Sequence, residues 1–223
     1  MLEVFPEEAA AANNNLGNVY RRQGKLQEAV TEFEKGLALR ENAKIRSNLA
    51  ATQVKLGMID EAEKNFTKAK EFDPHSELPD FGLGILYTQT GENEKALAAY
   101  AASLEHNPRY DRGLLLANLN RLEEAQHDFE RAVEIEPLFV QAWFSLGVIL
   151  QKEGKNDEAV HAYHKAIEGE SGYIDARMNL GVLLAKLGKL PEARAQFSAV
   201  LRYQPGNASA ASAIQKIDTA LAQ

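Results

Sequence analysis

The 223-residue sequence contains no cysteine. That excludes disulfides, thiolate zinc sites and cysteine nucleophiles, and leaves the redox compartment open. Positive charge is in deficit, with 25 Lys and Arg against 32 Asp and Glu for a net charge of −7. Nucleic-acid binding through phosphates needs a basic surface, so it is disfavoured. No apolar run approaches the roughly 18 residues needed to span a bilayer, and direct membrane insertion is not expected. No basic-then-apolar signal segment opens the chain. Cytoplasm is the default compartment, with the periplasm as the alternative where a signal peptide has been removed. There is no phosphate-binding Gly loop and no Gly-x-Ser-x-Gly elbow. The histidines His75, His106, His127, His161 and His164 are scattered. His161 and His164 follow Glu158, but the spacing is not His-Glu-x-x-His and no further ligand is evident. Neither a metal nor a cofactor is expected, and no catalytic constellation emerges.

What the chain does have is one signature repeated six times. Ala29, Ala62, Ala96, Ala125, Ala159 and Ala193 stand 33, 34, 29, 34 and 34 residues apart. Four residues after each comes an aromatic: Phe33, Phe66, Tyr100, Phe129, Tyr163 and Phe197. Five residues before each stands Gly24, Gly57, Gly91, Asn120, Gly154 or Gly188. Residues 140–171 give the clearest copy. Trp143, Leu146, Gly147 and Leu150 share one helical face. Gly154 ends that helix in a left-handed C′ conformation, Asn156 or Asp157 can cap the next, and Ala159, Tyr163 and Ala166 form its buried stripe. Leu16-Gly17, Leu49-Ala50, Leu83-Gly84 and Leu180-Gly181 repeat the first-helix pattern. Pro74, Pro108, Pro137 and Pro205 are placed after second helices, which proline cannot continue.

A period of about 34 residues with this signature resembles the tetratricopeptide repeat. The resemblance runs over roughly residues 8–207. The fold class it implies is all-α: a right-handed α-α superhelix of about six helix-turn-helix repeats with a C-terminal capping helix. The expected segments are 8–42, 43–76, 77–108, 109–137, 138–171 and 172–206, with a cap at 207–223. Ala210, Ile214, Ile217 and Leu221 form the cap's apolar stripe. Residues 1–7 are an N-terminal arm or the remnant of an upstream repeat, because Leu2 to Pro6 resembles the tail of a second helix. The 29-residue step makes the fourth unit five residues short. Its second helix is complete, so the loss is expected in its first helix, around residues 110–117, where the Leu-Gly pair and Trp143 lack clean counterparts. A notch or kink would follow there.

In this family the first helices line a concave groove. Carried onto this chain, the first two units present Asn14, Asn15, Asn18, Arg21, Arg22, Lys44, Asn48 and Lys55, an amide-rich and basic zone. The third presents Leu78, Phe81, Ile85 and Gln89. The fifth and sixth present Phe144, Val148, Met178, Asn179 and Val182, with Gln141, Gln151, Lys152 and Lys186 nearby. Apolar side chains lining such a surface imply a partner. Asn15, Asn48 and Asn179 precede the Leu-Gly/Ala pair, with Gly82 and Ser145 at the same register in units three and five. This resembles the asparagine ladder of the O-linked N-acetylglucosamine transferase superhelix, which holds peptide backbone; an amide supplies both donors and an acceptor to an extended main chain. Asn18 and Asn48 also stand where the Hsp70/Hsp90 carboxylate clamp has asparagines. Asn14, Leu78 and Gly82 replace its cations, so chaperone-tail binding is disfavoured.

The function these features imply is a non-catalytic protein-interaction scaffold that holds a peptide, an acidic or extended segment, or a partner helix. Two alternatives stand beside it: a recruitment or assembly segment of a larger enzyme or secretion machine, and an array that self-associates through its N-terminal end.

Overall fold

The computed structural model describes residues 5–103 and 106–222. Among these residues it holds thirteen helices and no strand. Chain contacts divide it into two units, Met1–Pro108 and Arg109–Gln223. Unit 1 contains three helical hairpins: α1 (Pro6–Arg22) with α2 (Leu26–Leu39), α3 (Ala43–Lys55) with α4 (Ile59–Phe72), and α5 (Leu78–Thr90) with α6 (Asn93–Ala102). Unit 2 is built from α7 (His106–Asn118) with α8 (Leu122–Ile135), α9 (Val140–Lys152) with α10 (Asn156–Gly169), α11 (Ile174–Lys186) with α12 (Leu190–Tyr203), and a last helix α13 (Ala208–Leu221).

Each hairpin turns the same way because each first helix ends in the same backbone motif. At the α9–α10 turn Gly154 takes φ 79°, a left-handed conformation without penalty in the absence of Cβ. The Lys155 N–H then donates to the Leu150 carbonyl at 2.9 Å, which satisfies one of the helix's free acceptors. The same bond closes the other turns, from Lys25 to Tyr20, Met58 to Gln53, Glu92 to Tyr87, Arg121 to Leu116 and Lys189 to Leu184. Asn120 is the non-glycine in this series, at φ 60°. Neither Asn156 nor Asp157 caps α10: Lys155 holds the N-cap position and no side chain bonds there. Among the described residues, side-chain N-caps appear at Asn42 before α3 and Asn207 before α13, neither of which follows such a turn.

The repeat alanines are fully buried, and the paired aromatics are at most 4% exposed. A ring of this size contributes about 1.5–3 kcal/mol on burial. Each needs a site without a side chain opposite. A Cβ on Gly147 would stand 2.7 Å from the Tyr163 ring, and one on Gly17 would stand 2.6 Å from Phe33. The second hairpin has Ala50 at this register, and Phe66 instead lies against Gly82 of the next first helix. That packing is why glycine stands at position 82, the register of Asn48 and Asn179.

The shortfall in the 29-residue step lies elsewhere than the sequence suggested. Helix α7 has 13 residues, as do α3, α5, α9 and α11. Helix α6 has 10 residues where the other second helices have 14. The third unit's second helix has therefore lost its last turn. Gly113 is the counterpart of Gly147, with the Phe129 ring 2.7 Å from where its Cβ would be. Arg112 replaces the leucine and Arg109 stands at the Trp143 register. Arg112 fits because it donates to buried Asp128, its Nε lying 2.7 Å from Oδ2. Helix α7 also crosses the expected 108/109 boundary, so Pro108 lies in its first turn, where a missing N–H costs nothing.

At the N-terminus, Pro6 begins α1 with Phe5 as its N-cap. Residues 1–4 of the expected arm lie outside the described residues. At the other end, α13 buries Ala210 and Ile217, while Leu221 is 51% exposed and falls off the stripe. An Arg194–Asp218 ion pair at 2.6 Å ties α13 to α12.

Candidate functional site

Within each unit, first helices of successive hairpins pack on one another: α1 on α3, α3 on α5, and α9 on α11. Among the described residues, consecutive second helices make no comparable contact. The first helices thus form the inner face of each unit.

In unit 1 that face is a hydrogen-bonded amide row. Asn14 is buried, and its Oδ1 accepts from Asn48 Nδ2 at 2.9 Å, joining the first two hairpins. Asn18 Nδ2 donates to the Asn14 carbonyl at 3.0 Å, and Arg21 Nη2 donates to Asn18 Oδ1 at 2.8 Å. Burial, and then the adjacent Arg22 charge, lower the Arg21 pKa below its ordinary value. The other members of the zone behave differently: Asn15, Arg22, Lys44 and Lys55 are exposed and make no such bonds among the described residues. The third hairpin adds half-buried Phe81, tilted against Tyr100 at 6.1 Å, half-buried Ile85, and Leu78, which is 48% exposed.

The inner face of unit 2 is apolar and aromatic with a basic rim. Phe144 stands edge-on to Tyr173 at 5.3 Å and tilts against Tyr163 at 6.1 Å. Val148 and Met178 are half-buried, and Val182 is 44% exposed. Beside them lies a depression of about 360 Å³ whose lining includes Val148, Gln151, Lys152, Tyr163, Asn179 and Lys186. The Tyr163 hydroxyl donates to Gln151 Oε1 at 2.7 Å. Burial pushes this phenol up to about 12, and the Asn179 amide beside it pulls in the opposite direction.

Two contributors were not anticipated as site residues. Tyr163 packs as a core ring, and it also lines the depression on the inner face. A signal for this exists: a buried tyrosine needs a polar partner. The repeats with Tyr instead of Phe, at Tyr100 and Tyr163, carry Thr88 and Gln151 eight residues before the repeat alanine, and both bond the hydroxyl. The other is Asp111, at the register of Asn48 and Asn179, whose half-buried carboxyl is pushed up by burial.

The fold is shared with solved structures. YrrB, described as a TPR protein with an unusual peptide-binding site, superposes with a TM-score of 0.67 at 24% identity, covering 82% of this chain and 97% of that one. The Pseudomonas aeruginosa pilF structure gives a TM-score of 0.77 at 17% identity, covering 96% and 98%. Among curated proteins, a peroxisomal targeting signal receptor of Candida albicans is 27% identical over 161 residues, which is 66% of this chain and 27% of the receptor. The chain thus spans about a quarter of that relative's length. Three tetratricopeptide repeat models match residues 8–74, 110–168 and 150–217, together more than half of the sequence. The chain belongs to the tetratricopeptide repeat family.

Proposed function

We propose that this chain is a non-catalytic scaffold that holds an extended peptide or a partner helix along the inner face of its first helices. The observation that carries the reading is the pair of amide positions Asn48 and Asn179, at one register of the repeat, each set among exposed or half-exposed groove side chains. Each uses part of its amide on the preceding hairpin, Asn48 on Asn14 and Asn179 beside Tyr163. An amide offers two N–H donors and a carbonyl acceptor, so capacity remains for a peptide main chain. Leu78 on α5 and Val182 on α11 add exposed apolar surface on first helices. The similarity to a protein named for its peptide-binding site and to a targeting signal receptor supports the same reading.

The test is selection from a random-peptide display library on the purified chain, followed by calorimetry with the selected peptides. Each amide bond contributes about 0.5–1.5 kcal/mol. Replacing Asn15, Asn48 and Asn179 together by Ala is expected to weaken binding about tenfold or more while the circular dichroism stays native. Charge reversal at Arg21 and Arg22 should weaken acidic peptides further and flatten their salt dependence. Peptides that bind the triple variant as tightly as wild type would move the site off the amide positions and sink the proposal.

A further inference from the structure

We infer that the inner face of unit 2 recognises the side-chain carboxylate of an aspartate or glutamate in an extended peptide, held between Lys152, Lys186 and the Gln151 amide. The inference rests on the groove reading above and adds the chemistry of the occupant.

Three features converge on one depression. First, its cations are unspent. Lys70, Lys95 and Lys155 each hold a carboxylate at 2.5–2.8 Å. Lys152 and Lys186 have no acidic partner among the described residues, although both border the depression. Second, its floor is oriented. Gln151 Oε1 accepts from Tyr163, which fixes the amide and leaves its Nε2 donors without an acceptor among the described residues. Tyr163 keeps its proton up to about 12, so the floor adds no competing negative charge at neutral pH. Third, Val148 and Leu183 supply its apolar wall, which raises the strength of a charge-assisted bond relative to open water.

Lys152 and Lys186 also lie in the last turns of α9 and α11, where a cation complements the helix dipole. That accounts for basic residues at two helix ends. It does not account for an oriented amide and a depression of about 360 Å³ between them. A free small acid would fill the depression alone. A peptide would also cover the apolar strip of Phe144, Met178 and Val182 that runs on from it, which favours a segment over a metabolite.

The experiment is a nuclear magnetic resonance titration of the full chain with an acetylated, amidated Ala-Val-Glu-Val-Ala peptide, its Gln counterpart, and glutarate. The Glu peptide is expected to shift the Gln151 side-chain amide and the Lys152 and Lys186 signals. It should bind about fivefold tighter than the Gln peptide at low salt. Lys152→Gln with Lys186→Gln, both exposed positions, should erase that advantage without unfolding the chain. Equal affinity of the two peptides, an advantage that survives the double variant, or absence of shifts at these residues overturns the inference. Glutarate binding as tightly as the peptide also overturns it, by assigning the site to a small acid. If both peptides shift Val148 and Val182 equally, the groove reading stands and only the carboxylate is lost.

Discussion

The two units use one frame for two kinds of inner face. Asn14, Asn18 and Arg21 of α1 stand 15, 11 and 8 residues before their repeat alanine, and Phe144, Val148 and Gln151 of α9 stand at the same three positions. In unit 1 the set is polar throughout and bonds along and between helices; in unit 2 Phe144 and Val148 leave apolar surface beside a basic rim, and Gln151 bonds the Tyr163 hydroxyl. The packing positions hardly differ, with a fully buried alanine in both and Phe33 exchanged for Tyr163. Close packing fixes shape only where two helices meet. Inner-face positions are free of that constraint, so the chemistry of the surface can change while the stack stays the same.

The largest test of this separation lies in unit 2, where a charge has entered a packing position. Arg112 occupies the register of Leu16, Leu49, Leu83, Leu146 and Leu180, and its partner Asp128 is 0% exposed. Asp128→Ala leaves a half-buried guanidinium unpaired. The expected loss is about 3 kcal/mol, the low end for breaking a buried pair because Arg112 keeps some solvent. Arg112→Leu with Asp128→Ala restores the residue of the other repeats and should recover most of it. Repeat stability is a sum of local terms, so faster hydrogen exchange should appear in α7–α9 and leave α1–α4 unchanged. A single variant as stable as wild type, or a double variant no better than the single, would mean the pair is incidental.

A smaller effect separates the units by pH. Each holds one phenol raised to about 12: Tyr87, by burial and then by its bond to Glu63, and Tyr163, by burial. Both keep their proton more tightly folded than unfolded. Their contribution is complete below the ordinary value of 10.0 and is lost as pH climbs from there toward about 12. For fully buried Tyr163 the loss is about 2 kcal/mol, and less for Tyr87, which solvent screens. Denaturant melts from pH 9 to 11 should therefore flatten in Tyr163→Phe and Tyr87→Phe, the former more. An alkaline slope identical in all three proteins would show that neither phenol is linked to folding.

The fold was legible because the packing residues are few, chemically constrained and evenly spaced. Ala159, Tyr163 and Gly154 each do something that few other residues can. The shortfall was not legible because a shortened interval does not say which of its helices shrank, and Arg112-Gly113 departs from the Leu-Gly pair at the register that carries it. Legibility of the inner face stopped at register. Spacing indicates that Asn14 and Asn48 face inward, but not that they bond each other, since that depends on how closely α1 and α3 approach. The hydroxyl of Tyr163 was hidden by its ring, whose packing alone explained an aromatic at that position. The absent caps on second helices have a similar origin: Asn156 has the right chemistry one residue too late, because the turn closes through the Lys155 N–H.

The finest comparison is between turns. Unit 1 closes its hairpins with Gly24, Gly57 and Gly91, whereas unit 2 uses Asn120, Gly154 and Gly188, all at positive φ. Asparagine tolerates the left-handed region better than other residues with a Cβ, but still at a cost. Asn120→Gly relieves it, partly offset by the greater freedom of glycine in the unfolded chain. The net gain expected is about 0.5 kcal/mol, with Gly154→Asn losing a similar amount. Urea midpoints of the two variants should move in opposite directions by comparable steps. If Asn120→Gly instead destabilises, the asparagine side chain holds the α7–α8 turn by a bond of its own, and this turn is not equivalent to the other five.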